Sequence, residues 1–387
     1  MTSLNLMQLQ FNSSAFLADH WQQKPLLIRN GFVHFTDLIE PELLAGLAME
    51  EAVDARIIRQ DGEHWDVEHG PFEDYERFGE SDWTLLVQAV NEWFPEVQEL
   101  LSAFRFLPDW RVDDIMVSFA TENGGVGAHL DQYDVFIIQG GGRRHWRVGE
   151  RSANLAEYCP HPDLKQLKDS QFDAVIDAVL EPGDVLYIPA GCPHHGIALE
   201  PSINYSVGFR APNSAEWLAQ IADQLLASEL PFPRYQDPQL NAQIPSYQLQ
   251  EAELEQVRNL LVRQLRTPEG ADAIARVMSQ SKRPLAGAED TLSVTELLSY
   301  AATDMLIGRT PGARIVRSPN GKLYANGEAL PALSADAAKQ LLELRGEQLL
   351  ATQSDLLSDS QACECLVDLI QQGVLYLVRE ISEENDS

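Results

Sequence analysis

Basic residues are scarce in this chain. Of 387 residues only 28 are Lys or Arg, against 59 Asp or Glu, for a formal charge of −31 at pH 7. That imbalance disfavours attraction to a phosphate backbone, so direct DNA binding is not expected. Solubility and a basic partner explain it about equally well. Cysteine is scarce too. The four thiols are Cys159, Cys192, Cys363 and Cys365, and the last two, one residue apart, have no second pair to complete a zinc set. Free thiols in a reducing compartment are expected. No apolar run approaches the roughly 18 to 20 residues that span a bilayer. The opening stretch, MTSLNLMQLQFNSSAF, lacks a basic segment followed by an apolar one. Neither a membrane nor export is therefore expected, and the cytoplasm is. Internal repeats and low-complexity segments are missing as well. What is present, 44% hydrophobic and 22% charged residues, describes a globular protein of two or three domains.

In chain order, residues 16–21 have helical spacing and stop ahead of Pro25. Residues 25–29 read as a strand ended by Asn30-Gly31. Residues 41–55 read as a helix with proline in its first turn, 56–60 as a strand and 91–101 as a helix. Trp21, Trp65, Trp83 and Trp93 are assigned to core or stacking positions. From Trp110 to Phe209 the character changes. Short runs rich in Val, Ile, Phe and Tyr (DIMVSFA, YDVFIIQ, HWRVG, AVLEPGDVLYIP, INYSVGFR) recur between turn residues, as in a sandwich or barrel. A double-sheet jelly roll with a cupin-type site in its mouth fits them. After Pro212-Asn213 come helices. The first is SAEWLAQIADQLLASEL with Ser214 as N-cap, broken at PFPRYQDP, followed by 251–265 and 268–278. From Leu292 the pattern is mixed: a hairpin turning at Asn320-Gly321, helices near 335–350 and 361–372, and a strand at 374–378. That order is winged-helix-like. The acidic tail 380–387 is expected to fray.

The chemistry concentrates in GGVGAHLDQYDVFIIQGGGRRHWRVGE, residues 124–150. Side chains two apart on a strand share a face, so His129 and Asp131 can offer an imidazole nitrogen and a carboxylate oxygen to one point. LYIPAGCPHHGIALE supplies a third ligand, His194, after a strand and a Pro/Gly turn. A lone histidine on an apolar strand is usually a satisfied core residue. Here two polar groups meet where an apolar strand begins, and burying them unpaired is costly. Two imidazoles and one carboxylate with open positions form the facial triad of non-haem Fe(II) oxygenases. His195, next to His194, faces away from the same centre. An oxygenase using 2-oxoglutarate also needs a cation for the distal carboxylate, and an Arg fork suits it. Arg143 and Arg144 are neighbours, and the Gly140–Gly142 turn resets the strand phase, so counting leaves both open.

Three blocks go further: HWQQKPLLIRNGF, DDIMVSFATENGGVGAHLDQYDVFIIQGGGRRHWRVGE and LYIPAGCPHHGIALEPSINYSVGFRAPN. Together they resemble the bacterial JmjC-type ribosomal oxygenases, in particular those that hydroxylate an arginine of large-subunit ribosomal protein sixteen. The resemblance implies a catalytic jelly roll over residues 1–213, a helical dimerisation region over 214–280 and a winged-helix-like domain over 281–387. It implies Fe(II) ligated by His129, Asp131 and His194, with 2-oxoglutarate and O2 as cosubstrates. It places the 2-oxoglutarate arginine at Arg144, with Ser118 helping to hold the cosubstrate. It puts the target arginine between Tyr133 and Met116, bonded by Asp114 and Ser206. The partners it implies are a basic ribosomal protein and a second copy of the chain. Two alternatives remain: the same chemistry on a ribosomal-protein histidine, and a metal-binding cupin that oxidises nothing. Asp114 favours the arginine, because a carboxylate pairs better with guanidinium than with neutral imidazole.

Overall fold

The Val-, Ile- and Phe-rich runs form strands in two facing sheets. The structure, a computed structural model, describes residues 8–379 apart from 153, 169–171, 239–242, 289, 304 and 352–353. The acidic tail 380–387 lies outside the described residues. The chain divides into two units, residues 1–211 and 212–387, each with its own hydrophobic core.

In the first unit the strands are β1 (Leu26–Ile28), β2 (Ala55–Asp61), β3 (His64–His69), β4 (Trp83–Val87), β5 (Val112–Ala120), β6 (His129–Leu130) and β7 (Asp134–Gln139). They continue as β8 (Arg144–Gly149), β9 (Glu157–His161), β10 (Leu164–Leu167), β11 (Ala174–Leu180), β12 (Val185–Ile188), β13 (Pro193–Ala198) and β14 (Ser202–Phe209). One sheet has the order β1-β12-β7-β14-β5-β4-β2-β3 and the other β11-β8-β13-β6, with β9 and β10 forming a separate ribbon. This is the jelly roll. Strands β3, β4, β9 and β10 were not expected from the sequence.

Strand burial explains the sequence pattern. Every residue of β7 and β12 is buried. Alternate side chains leave a strand on opposite faces. Phe136, Ile138, Val185 and Tyr187 enter a core shared with Phe16 from the helix Ser13–Asp19. Val135, Ile137, Leu186 and Ile188 pack instead on Trp146, Val148 and Leu180 of the facing sheet. A strand buried on both faces reads as a continuous apolar run, without the alternation of a half-exposed one.

Beneath the first turn of β7 sits a buried ion pair. Arg111 Nη2 donates to Asp134 Oδ2 at 2.9 Å, and the Asp134 side chain is fully buried. Tyr187 and Gln22 donate to the same carboxylate at 2.8 and 3.0 Å. Trp21 covers the guanidinium at 5.2 Å and stacks on Tyr187. The HWQQ stretch thus fastens the start of β7, three residues beyond Asp131. Asp134→Ala strands a buried cation and is expected to cost about 3 to 5 kcal/mol, read as a lowered midpoint in urea unfolding; an unchanged midpoint would show the pair to be dispensable.

Of the four expected core tryptophans, Trp65 and Trp83 are buried and Trp21 takes the stacking position, but Trp93 is 46% exposed. It follows a short turn, Val90–Glu92, whose buried side is filled by Val90 and Asn91.

The second unit begins with the helix Ser214–Ala227. Its N-cap is Asn213, not Ser214. The Asn213 side chain accepts from the backbone N–H groups of Ala215 and Glu216, and Glu216 reaches back to the Asn213 N–H, a full capping box. Helices Glu251–Leu265 and Pro268–Ser279 follow. Next come the helix Val294–Tyr300, the strand Met305–Arg309, a hairpin of Ile315–Arg317 with Leu323–Ala325, and helices Ala335–Glu343 and Ser360–Gln371. Strand Leu375–Arg379 returns beside Met305–Arg309. Gly321 takes the left-handed conformation at the hairpin turn, with φ +88°.

Candidate active site and metal centre

Three candidate ligands converge at the open end of the smaller sheet. His129 and His194 are cross-strand partners on β6 and β13, with ring centroids 4.2 Å apart. Asp131 lies just past the end of β6, in the turn that leads to β7. The two-apart spacing therefore works through a strand end and a turn, not a continuous strand. Asp131 Oδ2 stands 3.4 Å from His194 Nε2 and 3.9 Å from His129 Nε2. One ligand atom from each of the three lies within 4.8 Å of the others.

The 3.9 Å separation is beyond the roughly 3.5 Å reach of a hydrogen bond, and the three atoms together suit a shared ion. Ligands roughly 2.0–2.2 Å from one ion stand about 3 Å apart when adjacent. The imidazoles are oriented for it. His129 Nδ1 donates to the Gly127 carbonyl at 2.9 Å and His194 Nδ1 to the Cys192 carbonyl at 3.1 Å. Each bond fixes the tautomer and turns the Nε2 lone pair toward the centre. Burial, reinforced by His194, lowers the His129 pKa to about 4, so its ring is a neutral ligand. Burial alone raises Asp131, but the neighbouring His194 and His129 rings outweigh it and bring the carboxyl to about 2. One anion and neutral nitrogens form a donor set that fits a divalent cation.

Deeper in the barrel Arg144 opens β8. Its cross-strand partner on β13 is Ala198, four residues along from His194, about 13 Å of strand. The side chain is buried. Nε donates to Ser202 Oγ and Nη1 to Ser118 Oγ, both at 2.9 Å, and Nη2 donates to the Ser118 and Ser202 carbonyls at 3.0 Å. No carboxylate among the described residues pairs with it. Burial lowers its pKa to about 9, which leaves it a cation at neutral pH. Arg143 points outward and pairs with Glu200 at 2.9 Å. His195, opposite Arg147 on the outer face of β13, does not join the cluster.

The remaining expected residues lie on the larger sheet. Met116 of β5 pairs across the ladder with Ser206 of β14, and Asp114, buried, is two residues along on the same face. Tyr133 is 41% exposed as a whole, but its hydroxyl end is buried beside Asp131; that burial first, and then the Asp131 and Asp114 carboxylates, raise the phenol well above its ordinary value.

Two polar side chains of β14 were not singled out from sequence. Ser202 binds Arg144, and Asn204, 1% exposed, has neither end of its amide hydrogen-bonded. Asn204 pairs with Ser118 across the ladder, so an orphaned amide faces the same interior as the arginine. A buried amide without partners is costly and marks a place for a polar ligand. The signal was present in SINYSVGF, where Ser202, Asn204 and Ser206 recur with period two.

Residues 99–217 match the JmjC domain family and residues 270–376 a ROXA-like winged-helix family. The chain is 43% identical to the ribosomal protein uL16 3-hydroxylase of Escherichia coli, over 95% of this chain and 98% of that protein. It is 32% identical to a probable ribosomal oxygenase of Haemophilus influenzae, over 93% and 92%. The crystal structure of E. coli YcfD superposes with a TM-score of 0.88 at 41% identity, covering 96% of this chain and all of that one. A structure of YcfD, a ribosomal oxygenase, with cobalt and 2-oxoglutarate superposes with a TM-score of 0.85 at 39% identity, covering 96% and 99%.

Proposed function

Because the chain belongs to the JmjC-domain ribosomal oxygenases, we propose that it hydroxylates the β-carbon of an arginine in ribosomal protein uL16, using Fe(II), 2-oxoglutarate and O2. When bound, the ferrous ion with its cosubstrates supplies an oxidant able to place one oxygen atom in a C–H bond, as 2-oxoglutarate is converted to succinate and CO2. The protein holds and orients the parts. His129, Asp131 and His194 ligate the iron. Arg144 grips the far carboxylate of 2-oxoglutarate, and the Ser118 hydroxyl, already accepting from Arg144, has its proton free to donate. Asn204 offers the cosubstrate an amide. One observation carries the reading: a buried guanidinium that pairs with no carboxylate among the described residues stands beyond a His/Asp/His cluster in one barrel.

The larger sheet serves the substrate. A guanidinium between the Tyr133 ring and Met116 stacks on the one and packs on the other, while Asp114 and Ser206 accept its N–H groups. Asp114→Asn keeps the shape but removes the charge, and is expected to raise the KM for an arginyl peptide roughly 10-fold or more with little change in the KM for 2-oxoglutarate. Mass spectrometry of uL16 peptides incubated with enzyme, iron and 2-oxoglutarate tests the whole reading. The arginine should gain the mass of one oxygen atom. A peptide carrying a ribosomal-protein histidine, assayed beside it, decides the alternative; oxygen on the histidine alone would overturn the arginine assignment.

Residues 1–213 are assigned to the catalytic jelly roll with its N-terminal additions, 214–280 to a helical dimerisation region and 281–387 to a winged-helix-like domain. Helix Glu251–Leu265 buries none of its residues and exposes Leu254, Val257, Leu261 and Val262. That spacing is an apolar stripe on one face, suited to a second copy of the chain. A sedimentation mass of one chain at micromolar concentration would remove the dimer. The charge of −31 favours a basic ribosomal protein as partner over DNA. No helix of the described residues is long and apolar enough to cross a membrane, and a ribosomal substrate puts the enzyme in the cytoplasm.

A further inference from the structure

Strand β2 carries a guanidinium that the chain leaves unused. Arg56 lies between His69 of β3 and Leu86 of β4, and Leu86 in turn pairs with Ser118 of β5. Alternation puts Arg56 on the same face as Ile58, and Ile58 packs with Leu86 and Met116. That is the inner face, which carries the site. The Arg56 side chain is half-buried, and its Nε is shielded from solvent with no hydrogen-bond partner. Among the described residues it forms no ion pair, whereas Arg59, one strand face away, reaches Asp66. Its charge is felt at the Tyr133 hydroxyl, together with those of Asp131 and Asp114. Arg56 therefore borders the space in which the target side chain is held.

A guanidinium presents five donors in a rigid fork and accepts nothing. It cannot bind another guanidinium, and Asp114 already serves that group. What a half-buried, unpartnered fork beside a peptide cleft fits is an acceptor on the peptide. A basic substrate need not bring a carboxylate there, but every residue brings a carbonyl oxygen. We propose that Arg56 is a substrate-positioning residue that donates to a main-chain carbonyl of the bound peptide next to the target arginine, anchoring the peptide in the cleft. The inference rests on the reading that the site takes an arginyl peptide.

The test uses full-length enzyme loaded with iron and 2-oxoglutarate. Arg56→Met keeps the apolar stem that packs on the strand face and removes the fork; Arg56→Lys keeps the charge. Peptide KM should rise roughly 10-fold or more in Arg56→Met, the loss expected for a charge-assisted hydrogen bond, with kcat at saturating peptide within about twofold. Arg56→Lys should recover part of it. Independently of any variant, wild-type enzyme should bind more weakly a peptide whose carbonyl beside the target is replaced by a thiocarbonyl, a poorer acceptor. That replacement should cost Arg56→Met nothing further. Unchanged peptide KM in Arg56→Met, or wild-type indifference to thiocarbonyls on both sides of the target, overturns the role of Arg56 while the site reading stands. Wild-type enzyme inactive on every arginyl peptide overturns the site reading and this inference with it.

Discussion

Asp131→Ala is expected to remove hydroxylation and metal binding together while leaving the fold in place. The three candidate ligands contribute one negative charge between them, and it belongs to Asp131. His129 is held neutral by burial, so without the carboxylate a divalent ion meets nitrogens alone in a partly desolvated pocket. Changes to outer groups that merely orient metal ligands already cost about 10- to 100-fold. Loss of a ligand and the only charge should therefore lower activity on the order of 1000-fold or more. The main chain has no reason to move. The Asp131 carbonyl keeps its bond from the Gly191 N–H at 2.7 Å, and Asp134, three residues on, stays locked to Arg111. Elemental analysis after dialysis against iron should find wild type near one ion per chain and Asp131→Ala near none, with matching far-ultraviolet spectra. A variant that keeps its iron and its turnover would require another ligand and another centre.

Of the candidate ligands, His129 and Asp131 were legible because their spacing is local, and His194 because it follows a strand and a Pro/Gly turn; the structure brings the three together. Arg144 was not legible by counting. After the glycine turn, whether Arg143 or Arg144 enters the barrel depends on how β8 docks between β11 and β13, and only the long-range pairings fix that. Helix ends were misjudged for a related reason. Residues 41–55 have helical spacing throughout, yet the helix is Pro41–Leu47, and the Ala48 carbonyl accepts from the Phe72 N–H, not from its own next turn. Residues 335–350 likewise shorten to Ala335–Glu343. There the buried Arg309 donates to the Leu341 and Leu342 carbonyls at 2.7 and 3.2 Å and caps the helix from another strand. Both stops are tertiary contacts, which local periodicity does not record. Ser202 and Asn204 differ in kind: their period-two pattern was in the sequence, and a polar face on an otherwise apolar strand is a signal that can be read in advance.

Arg144→Met should leave iron bound and raise the KM for 2-oxoglutarate roughly 10- to 100-fold, because the charge-assisted hydrogen bond from its one uncommitted N–H, at about 1.5–3 kcal/mol, is lost. The guanidinium is an unusual thing to bury. Four donated bonds go to hydroxyls and carbonyls, and none to an anion. Such a site is costly until a carboxylate arrives, and the fall of its pKa to about 9 by burial alone expresses that cost. A bound dicarboxylate reverses it, since an anion at hydrogen-bond distance stabilises the charged form. Methionine fills the volume, which limits the cavity left behind, but it strands the Ser118 and Ser202 hydroxyls. Some loss of stability is therefore expected, and it separates from the binding defect because stability does not vary with cosubstrate in the variant. In wild type, by contrast, 2-oxoglutarate with a redox-inert divalent metal should raise the melting temperature as its concentration grows. Arg144→Lys retains charge without the fork that Ser118 and Ser202 hold in plane, so it should fall between the two. If Arg144→Met kept the wild-type dependence of both turnover and melting temperature on 2-oxoglutarate, the cosubstrate's far carboxylate would have to bind elsewhere, and the burial of this guanidinium among hydroxyls and carbonyls would need another explanation.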